Sequence, residues 1–449
     1  MVSMKRTFFF YDLETSGLSA REDRIMQFAG QRTDEKLNPI GESVNLLVRM
    51  TEDVLPSPFA IQVTKITPQM TLMDGVNEAE FCRLVTEEMF TPGTVALGYN
   101  TVRFDDEFMR ATLWRNFFDP YEWEWKEGRS RWDLLDVVRL TRALRPEGIN
   151  WPVTAEGKPT NRLELLTKCN GLEHEHAHDA LSDVYATIAV AKMIREKQPR
   201  LFEFLFKMRD KREVQRLINL ANPPPFVYAS GRYAAEFEKT TVAVPIAPGR
   251  SGNILVWDLR YDGAAGEELL KGKHPVVKEL CYNKCPAVAP ISVLREEDWA
   301  RIGLSPEKVA ENWERIKRSE GLLEQIRIEL EKRSEFPPAI EPEQAIYDGF
   351  LSNTDKIKVA AVRNADANRL ADFYPDFQDV RLPELLLHYK GRNFPESLDE
   401  KEMEKWEDYR KKRLERQVPK FLEELMKIQD EFLREELRLY YENLFASDY

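Results

Sequence analysis

The alternation of hydrophobic and polar positions near the amino terminus predicts three strands. The aromatic run at 8–11 has the length and composition of a buried strand, and two acids follow it directly. Two further strands are predicted over 25–32 and 44–49, with turn-forming residues between them. The chain is therefore expected to begin with three antiparallel strands.

A helical rhythm appears after these strands and returns several times before residue 198. Thr67 followed by Pro68 is a helix-entry signal, with threonine as the N-cap and proline at the first helical position. A short strand over 95–99 leads into helical spacing near Asp105. Apolar spacing predicts the other helices over 78–90, 132–144, 162–168 and from about 179 onward.

The pattern changes near residue 198 and again near residue 340. Short β-type runs broken by proline and glycine fill 227–294, which favours a small β-rich, barrel-like domain. From residue 344 onward almost every segment has the pattern of an amphipathic helix, including a stripe at 421, 425, 428 and 432. We predict three domains, at 1–198, 199–338 and 339–449, with the proline-rich segment around Pro337 and Pro338 as the second linker.

Composition adds limits on function and compartment. The chain has 449 residues, of which 43% are hydrophobic, and 77 acids against 65 bases give a net charge of −12. This charge argues against binding nucleic acid by bulk attraction alone, although a basic channel on an acidic body is compatible with it. Four irregularly placed cysteines indicate a reducing cytoplasm, and no apolar run has the length of a signal peptide core or a membrane span.

Asp12 and Glu14 are the first candidates for chemistry. Side chains alternate along a strand, so these two carboxylates project from the same face. Held together at the end of a core strand, they repel each other unless cations lie between them, which predicts a hard-metal site for magnesium or manganese. The alternative is a strand that simply ends in a polar turn.

Asp105 and Asp183 are acids at the edges of other predicted elements. With Asp12 and Glu14 they make four carboxylates, the set needed for two-metal phosphoryl transfer, in which one ion generates hydroxide and the other stabilises the leaving oxygen. His178 is the candidate general base, because an ordinary histidine accepts a proton near neutral pH. The neighbouring His174 and His176 are expected to face solvent, and a zinc site of three histidines is the alternative.

The order of these residues resembles the DEDDh group of 3′-to-5′ exonucleases: Asp12, Glu14, Asp105 and Asp183, with His178 five positions before the last acid. A closer resemblance, to the bacterial exodeoxyribonuclease I family, extends over nearly the whole chain. It is carried by LGYNTVRFDDEF at 97–108, NFFDPYEW at 116–123, SRWDLLDVVRL at 130–140, ALRPEGINWP at 143–152, HAHDALSDVYATIAVAK at 176–192, YNKCPAVA at 282–289, IYDGFLSNTDK at 346–356 and YKGRNFP at 389–395.

The resemblance implies an α/β fold with a ribonuclease-H-like mixed-sheet nuclease domain, an SH3-like β domain and a C-terminal all-helical domain that clasp single-stranded DNA. It implies processive release of 5′-mononucleotides in DNA repair and recombination by a cytoplasmic, monomeric bacterial enzyme that uses two Mg²⁺ ions, with Mn²⁺ as a substitute. The four acids would hold the metals and His178 would be the base. Arg162 matches a substrate-contacting arginine, and Arg145 matches a position in the pocket for the C-terminal tail of the single-stranded-DNA-binding protein.

A possible DNA track is also visible without the family. Arginines and aromatic residues are interleaved along this segment. Such a composition suits a DNA-binding surface, because aromatic rings stack on DNA bases and arginines neutralise phosphates. The residues are Arg103, Arg110, Tyr121, Trp123, Trp125, Arg129, Arg131 and Arg139. Tryptophans in the core and arginines in solvent are the alternative.

Two other functions fit the same residues. An RNA-trimming exonuclease would carry the same acids and histidine, because discrimination of the 2′-OH depends on the shape of the pocket. A catalytically dead single-strand-binding protein would usually have lost one acid, and all four are present here.

Overall fold

The first domain is built on a mixed five-stranded sheet. In this computed structural model the described residues are 6–173, 179–221, 223–262, 275–319, 321, 322, 324, 326, 328 and 339–446. The strands are β1 (Thr7–Thr15), β2 (Ile25–Thr33), β3 (Val44–Leu47), β4 (Thr94–Gly98) and β5 (Ser130–Asp133), in the order β3-β2-β1-β4-β5. The first three are antiparallel, as predicted, and β4 and β5 run parallel to β1, which lies at the centre.

Nine α-helices accompany this sheet among the described residues. They are α1 (Pro58–Thr64), α2 (Pro68–Asp74), α3 (Glu78–Leu84), α4 (Asp105–Arg115), α5 (Leu134–Leu144), α6 (Leu163–Cys169), α7 (Ala180–Lys197), α8 (Pro199–Lys207) and α9 (Lys211–Leu217). The predicted cap is confirmed, because the Thr67 side chain accepts a hydrogen bond from the Met70 N–H at the start of α2. The helix predicted over 78–90 is α3 continued by a π-helical turn, Val85–Met89.

The prediction of a helix from residue 132 was wrong at its beginning. Residues 130–133 form β5 instead, and Asp133 ends that strand and caps α5 by accepting a hydrogen bond from the Leu135 N–H at 2.9 Å. A four-residue strand that is almost fully buried shows no polar alternation, so periodicity could not separate it from the helix that follows.

The middle domain contains a second sheet, which is antiparallel. Its strands are β6 (Phe226–Ala229), β7 (Thr240–Pro248), β8 (Ile254–Asp258), β9 (Val277–Leu280) and β10 (Ala287–Pro290), in the order β10-β6-β7-β8-β9. Among the described residues, α10 (Glu296–Arg301) and α11 (Pro306–Arg318) follow. The five β-type runs read from the sequence are therefore confirmed as strands.

The last domain is helical, as predicted. Its α-helices are α12 (Asn353–Arg363), α13 (Ala367–Ala371), α14 (Leu382–Asn393), α15 (Glu400–Leu425) and α16 (Glu431–Ala446). The predicted stripe is correct for Phe421, Leu425 and Ile428, which are buried, and wrong for Phe432, which is 75% exposed. The helix ends at Leu425 and the next begins at Glu431, so the spacing is not carried across the break.

The hydrophobic clusters cross the domain boundaries. One contains buried side chains of the nuclease and β domains, and two contain side chains of the nuclease and helical domains. The predicted linker at Pro337 and Pro338 lies outside the described residues. Within the described part of the chain, no helix is both long enough and apolar enough to span a membrane.

Candidate active site

The central strand of the nuclease sheet positions two of the predicted acids. Asp12 and Glu14 lie near the end of β1, where alternation directs both to one face, and α7 packs against this strand. Asp183 lies in the first turn of α7. One carboxylate oxygen from each of these three residues lies within 4.8 Å of the others, so the structure brings the three together.

Asp105 is fixed beside the same strand. It is the first residue of α4 and is only 4% exposed. Its Oδ1 accepts a hydrogen bond from the Leu13 N–H at 3.1 Å, directly between Asp12 and Glu14 along the chain. Asp105 therefore adjoins the three clustered carboxylates without belonging to the closest group of oxygens.

The electrostatics of the cluster are dominated by burial and by repulsion between the acids. Burial raises the pKa of Asp12 well above its usual range, and repulsion from Asp105, Asp183 and Glu14 adds to this. Burial, followed by the charges of Asp183 and Asp179, raises the pKa of Glu14 to about 8. Carboxylate oxygens at this separation are the ligands that a hard divalent cation prefers, so the residues present fit such an ion.

Buried polar groups that sequence reasoning missed support α4 from behind. Asp106 is 1% exposed, accepts a hydrogen bond from the Tyr11 hydroxyl at 2.5 Å and pairs with Arg131. Asp133 accepts from the N–H groups of Asn100 at 2.9 Å and Val102 at 3.2 Å, and it thereby fixes the loop that leads into α4. The run of acids at 105–107 was a signal for these roles, but spacing alone could not say which acid faces the site.

The predicted base, His178, lies outside the described residues, as do His174 and His176. The chain is described again from Asp179, the N-cap of α7. Its carboxylate accepts a hydrogen bond from the Ser182 N–H at 2.9 Å, which secures the turn that carries Asp183. The role of His178 stays a prediction.

Known proteins resemble this chain over nearly its whole length. Family models match in three places: Exonuclease at residues 9–191, Exonuclease I SH3-like domain at 209–270 and 264–330, and Exonuclease I C-terminal domain at 340–442. Exodeoxyribonuclease I of Haemophilus influenzae is 39% identical over 442 residues, which cover 94% of this chain and 93% of that protein. The chain belongs to the exodeoxyribonuclease I family.

Two solved structures of exodeoxyribonuclease I family members have the same fold. The crystal structure of E. coli Exonuclease I in complex with a dA16 oligonucleotide superposes with a TM-score of 0.91 at 37% identity, covering 98% of this chain and 100% of that one. The zinc-bound form of the E. coli complex with single-stranded DNA gives a TM-score of 0.91 at 36% identity, with the same two coverages. The predicted domain order is confirmed: a nuclease domain, an SH3-like domain and a helical domain.

The predicted DNA track is divided by the structure. Trp125 is 63% exposed, the Arg103 side chain is 36% exposed, and Tyr121 is half-buried. Arg103 also pairs with Asp136 at 2.8 Å. These three side chains are accessible enough to belong to a surface that binds single-stranded DNA.

The other members of the track are buried or paired with acids, and their role in DNA binding stays a prediction. Arg110 is buried between Glu107 at 3.0 Å and Glu124 at 2.5 Å. Arg139 pairs with Asp136 at 2.5 Å and lies against Gly231 of the β domain. Trp123 and Arg131 are buried, and Arg129 pairs with Glu127 with its side chain 11% exposed. A sequence does not reveal which acid an arginine will meet.

Arg162 and Arg145 lie in different surroundings. Arg162 is at the N-cap position of α6, with its side chain 67% exposed, and pairs with Glu164 at 2.6 Å. Arg145 follows α5 and is held by the β domain, because its guanidinium donates to the buried Asp298 at 2.8 Å and to the Val293 carbonyl at 2.8 Å. Its side chain keeps 19% exposure.

Proposed function

We propose that this protein hydrolyses single-stranded DNA from the 3′ end, processively, and releases 5′-mononucleotides. The observation that carries the proposal is the convergence of Asp12, Glu14 and Asp183 within 4.8 Å in a chain of the exodeoxyribonuclease I family. The family's solved complex with an oligonucleotide supports DNA as the substrate. A role in DNA repair and recombination in the cytoplasm belongs to the same proposal.

The three clustered acids would hold the metal ions, and Asp105 would complete the site. We expect two Mg²⁺ ions, for which Mn²⁺ can substitute. When bound, such ions neutralise the charge of the phosphate and activate water at neutral pH. The four acids by themselves repel a phosphodiester, so the cation is needed for binding at this position as well as for chemistry.

The remaining roles fall to side chains around the acids. His178 would accept the proton of the attacking water, since it directly precedes the N-cap of the helix that carries Asp183. Arg162 and Arg103 would neutralise backbone phosphates, while Tyr121 and Trp125 would stack on bases.

A nuclease assay with matched variants tests this proposal. The substrates are 5′-labelled single-stranded DNA, duplex DNA and RNA, each with Mg²⁺, Mn²⁺ or EDTA, and products are resolved by length. Wild type should shorten only the single-stranded DNA, one nucleotide at a time, and EDTA should stop it. Asp12→Asn should abolish cleavage but retain DNA binding, and His178→Ala should lower turnover by roughly 10²- to 10⁴-fold.

Other results would contradict separate parts of the proposal. Near-normal turnover of Asp12→Asn would remove the metal assignment. Normal turnover of His178→Ala at saturating Mg²⁺, with weakened metal affinity, would make His178 a ligand instead of the base. Faster cleavage of RNA than of DNA would show that RNA, and not DNA, is the preferred substrate.

The proposal includes one protein partner and a monomeric state. The partner is the C-terminal tail of the single-stranded-DNA-binding protein, and Arg145 would bind its carboxylate. The 19% exposure that the Arg145 side chain retains leaves part of it accessible to solvent. Its pairing with Asp298 orients the guanidinium and also competes with an incoming carboxylate.

Arg145→Ala should weaken binding of a tail peptide at least tenfold, because the charged hydrogen bonds to the carboxylate are lost. Fluorescence anisotropy of a labelled peptide measures the affinity, and Arg295→Ala, an exposed arginine of the same region, is the matched control. Exonuclease activity without peptide should change little. Equal peptide affinity in wild type and Arg145→Ala would refute the role.

A further inference from the structure

One carboxylate of the nuclease domain is bonded to both of the other domains. Glu107 lies in the first turn of α4, two residues after Asp105. Its Oε1 accepts a hydrogen bond from Nζ of Lys284 at 3.2 Å, and Lys284 belongs to the turn between β9 and β10. Its Oε2 accepts a hydrogen bond from the hydroxyl of Tyr347, at the start of the helical domain.

The carboxylate is held in place to receive both contacts. Nη1 of Arg110 donates to Oε1 of Glu107 at 3.0 Å, and the same guanidinium is fixed by Glu124 at 2.5 Å. The Glu107 side chain keeps 26% of its exposure, so it lies at the edge of the structure. A charge fixed in this way makes shorter and stronger hydrogen bonds than a free surface carboxylate.

Each domain has a second contact close to this junction. On the β side, Arg131 donates to the carbonyl of Asn283 at 2.8 Å, next to Lys284 in the chain. On the helical side, Nε1 of Trp114 donates to the carbonyl of Pro342 at 2.9 Å. Glu107 therefore joins two segments that are each already anchored on the nuclease domain.

The junction borders a cavity whose lining includes residues that follow β1 and the residue that precedes Asp105. This cavity has a volume of about 250 Å³ and is lined by Leu18, Phe104, Glu107 and Tyr347, among others. Phe104 precedes Asp105, and Leu18 lies in the loop that follows Glu14. A change in the distance between Lys284 and Tyr347 would therefore alter the space next to the candidate active site.

We infer that Glu107 is a latch that holds the β domain and the helical domain together at the edge of the active site, and that it thereby sets how many nucleotides are removed per encounter. The inference rests on the proposed exonuclease function. A strand that passes between the domains can leave sideways only if they separate. Separation of Lys284 from Tyr347 at this edge requires breaking one of their contacts with Glu107, while the other contacts keep each domain on the nuclease domain.

The test uses the full-length protein with one contact removed at a time. Lys284→Gln removes the charge that pairs with Glu107, Tyr347→Phe removes one hydroxyl, and a double variant combines them. Lys308→Gln, at an exposed position on α11, is the charge-matched control. Long 5′-labelled single-stranded DNA is digested in the presence of excess unlabelled trap, and the nucleotides removed per encounter are counted; thermal denaturation verifies folding.

Each single variant should remove roughly 3- to 10-fold fewer nucleotides per encounter, which is the factor for one lost hydrogen bond. The double variant should be no worse than the more affected single variant, because one broken contact already opens the latch. Turnover on a short oligonucleotide should stay within about twofold of wild type for all three. Lys308→Gln should match wild type.

Direct DNA contact by the same residues gives a different result. If Lys284 bound a phosphate, Lys284→Gln would lower the salt slope of binding by about one, and the losses of the two single variants would multiply in the double. Either finding overturns the latch, as does unchanged processivity in both single variants. A wild-type protein without nuclease activity would instead overturn the proposed function, and the latch with it.

Discussion

At the scale of the residue, the candidate site is mostly a consequence of strand geometry. The D-x-E spacing places Asp12 and Glu14 on one face whatever the rest of the fold does, so their proximity could be predicted from sequence. Its place at the edge of a predicted element made Asp183 a candidate partner, and the packing of α7 on β1 brings it to the two acids. The structure adds a physical reason why a cation would bind here. Burial and mutual repulsion raise the pKa of Asp12 and Glu14, and a bound cation would offset that repulsion.

The arginines show the limit of residue-level reasoning. Arg110, Arg131 and Arg139 have the composition of a DNA track, yet acids on their own domain hold them. Some of these partners are near in sequence, as Asp136 is to Arg139, and others are distant, as Asp106 is to Arg131, so spacing alone does not tell which arginine is paired. Composition therefore predicted a basic surface that the fold uses partly for its own stability.

His388 is a residue whose ionisation the fold suppresses. It lies on α14, is 1% exposed, and stacks on Tyr409 with ring centroids 3.7 Å apart. Burial and then the charge of Arg392 lower its pKa from 6.5 to about 3, with Arg413 adding to this, while Glu343 and Asp53 act in the opposite direction. Glu384 also lies near the ring, at 3.8 Å from Nε2.

The pH dependence of stability follows from that shift. Between pH 6.5 and 3 the unfolded chain binds a proton that the folded protein does not, so the stabilisation is present above pH 6.5 and is lost as the pH falls. We expect His388 to account for about 2 kcal/mol of lost unfolding free energy between pH 7 and pH 5. Urea denaturation of wild type and His388→Phe, which keeps a ring over Tyr409, measures the difference in slope.

His388→Phe should thus lose less stability on acidification than wild type, whatever its stability at pH 8. At pH 8 the histidine is neutral in both states, so a difference there reports packing only. Identical pH slopes for the two proteins would show that the ring is protonated in the folded state or exposed to water.

At the scale of the element, sequence patterns predicted whether a segment is a helix or a strand better than they predicted the residues at which it begins and ends. The strands β1, β2 and β3 and the five strands of the second sheet were found from alternation and turn residues. β5 was missed because Trp132 and Asp133 continue directly into the apolar rhythm of α5. Phe432 was misplaced for the converse reason, since two helices with a break between them looked like one.

The beginning of α7 has a direct consequence for the site. Asp179 caps this helix, and Asp183 lies in the turn that the cap stabilises. Asp179→Ala should destabilise the protein by about 1 kcal/mol and raise the Mg²⁺ concentration needed for half-maximal activity, because the first turn of α7 loosens. Asp179→Asn retains the cap and should stay close to wild type in both measurements.

The pair of variants separates the cap from the charge. Asp179 also raises the pKa of Glu14 by repulsion, and both variants remove that negative charge. If alanine and asparagine weaken the response to Mg²⁺ equally, the charge of Asp179 matters and the cap does not. Circular dichroism during thermal unfolding gives the stability of each variant.

At the scale of the whole molecule, the domains are less separable than the sequence suggested. The sequence predicted the helical domain as a separate domain beyond a proline-rich linker. The structure places Trp114 and Phe117 of the nuclease domain in one hydrophobic cluster with Leu385 and Tyr389 of the helical domain. Pattern analysis finds the two ends of a linker, but not how much surface the domains share.

A buried group of charges also joins these two domains. Glu343 of the helical domain pairs with Arg24 of the nuclease domain at 3.2 Å and with Arg413 at 2.6 Å, and it also contacts Arg392. Arg24 and Arg392 in turn bind Asp53 at 3.2 Å and 2.8 Å. Although burial alone would raise it, the three arginines hold the pKa of Glu343 well below its usual range. Sequence gave no sign of this group, because its members are up to several hundred residues apart.

Removing residues 339–449 should therefore unfold part of the nuclease domain instead of only shortening the DNA path. Truncation leaves Arg24 without Glu343 and Asp53 without Arg392 and Arg413, and it exposes the apolar faces around Met26 and Trp114. In the full chain, where these groups stay buried, an unpaired charge costs about 3–5 kcal/mol, a large part of the stability of a domain. Glu343→Gln in the full chain tests the same contact without deletion and should lower the free energy of unfolding by a similar amount in urea denaturation. Glu404→Gln, at an exposed position, should lower it by less than about 0.5 kcal/mol.

A truncated chain that unfolds cooperatively, with a Glu343→Gln variant as stable as wild type, would show that the two domains are independent. Removal of the helical domain would then be a valid way to measure its contribution to processivity.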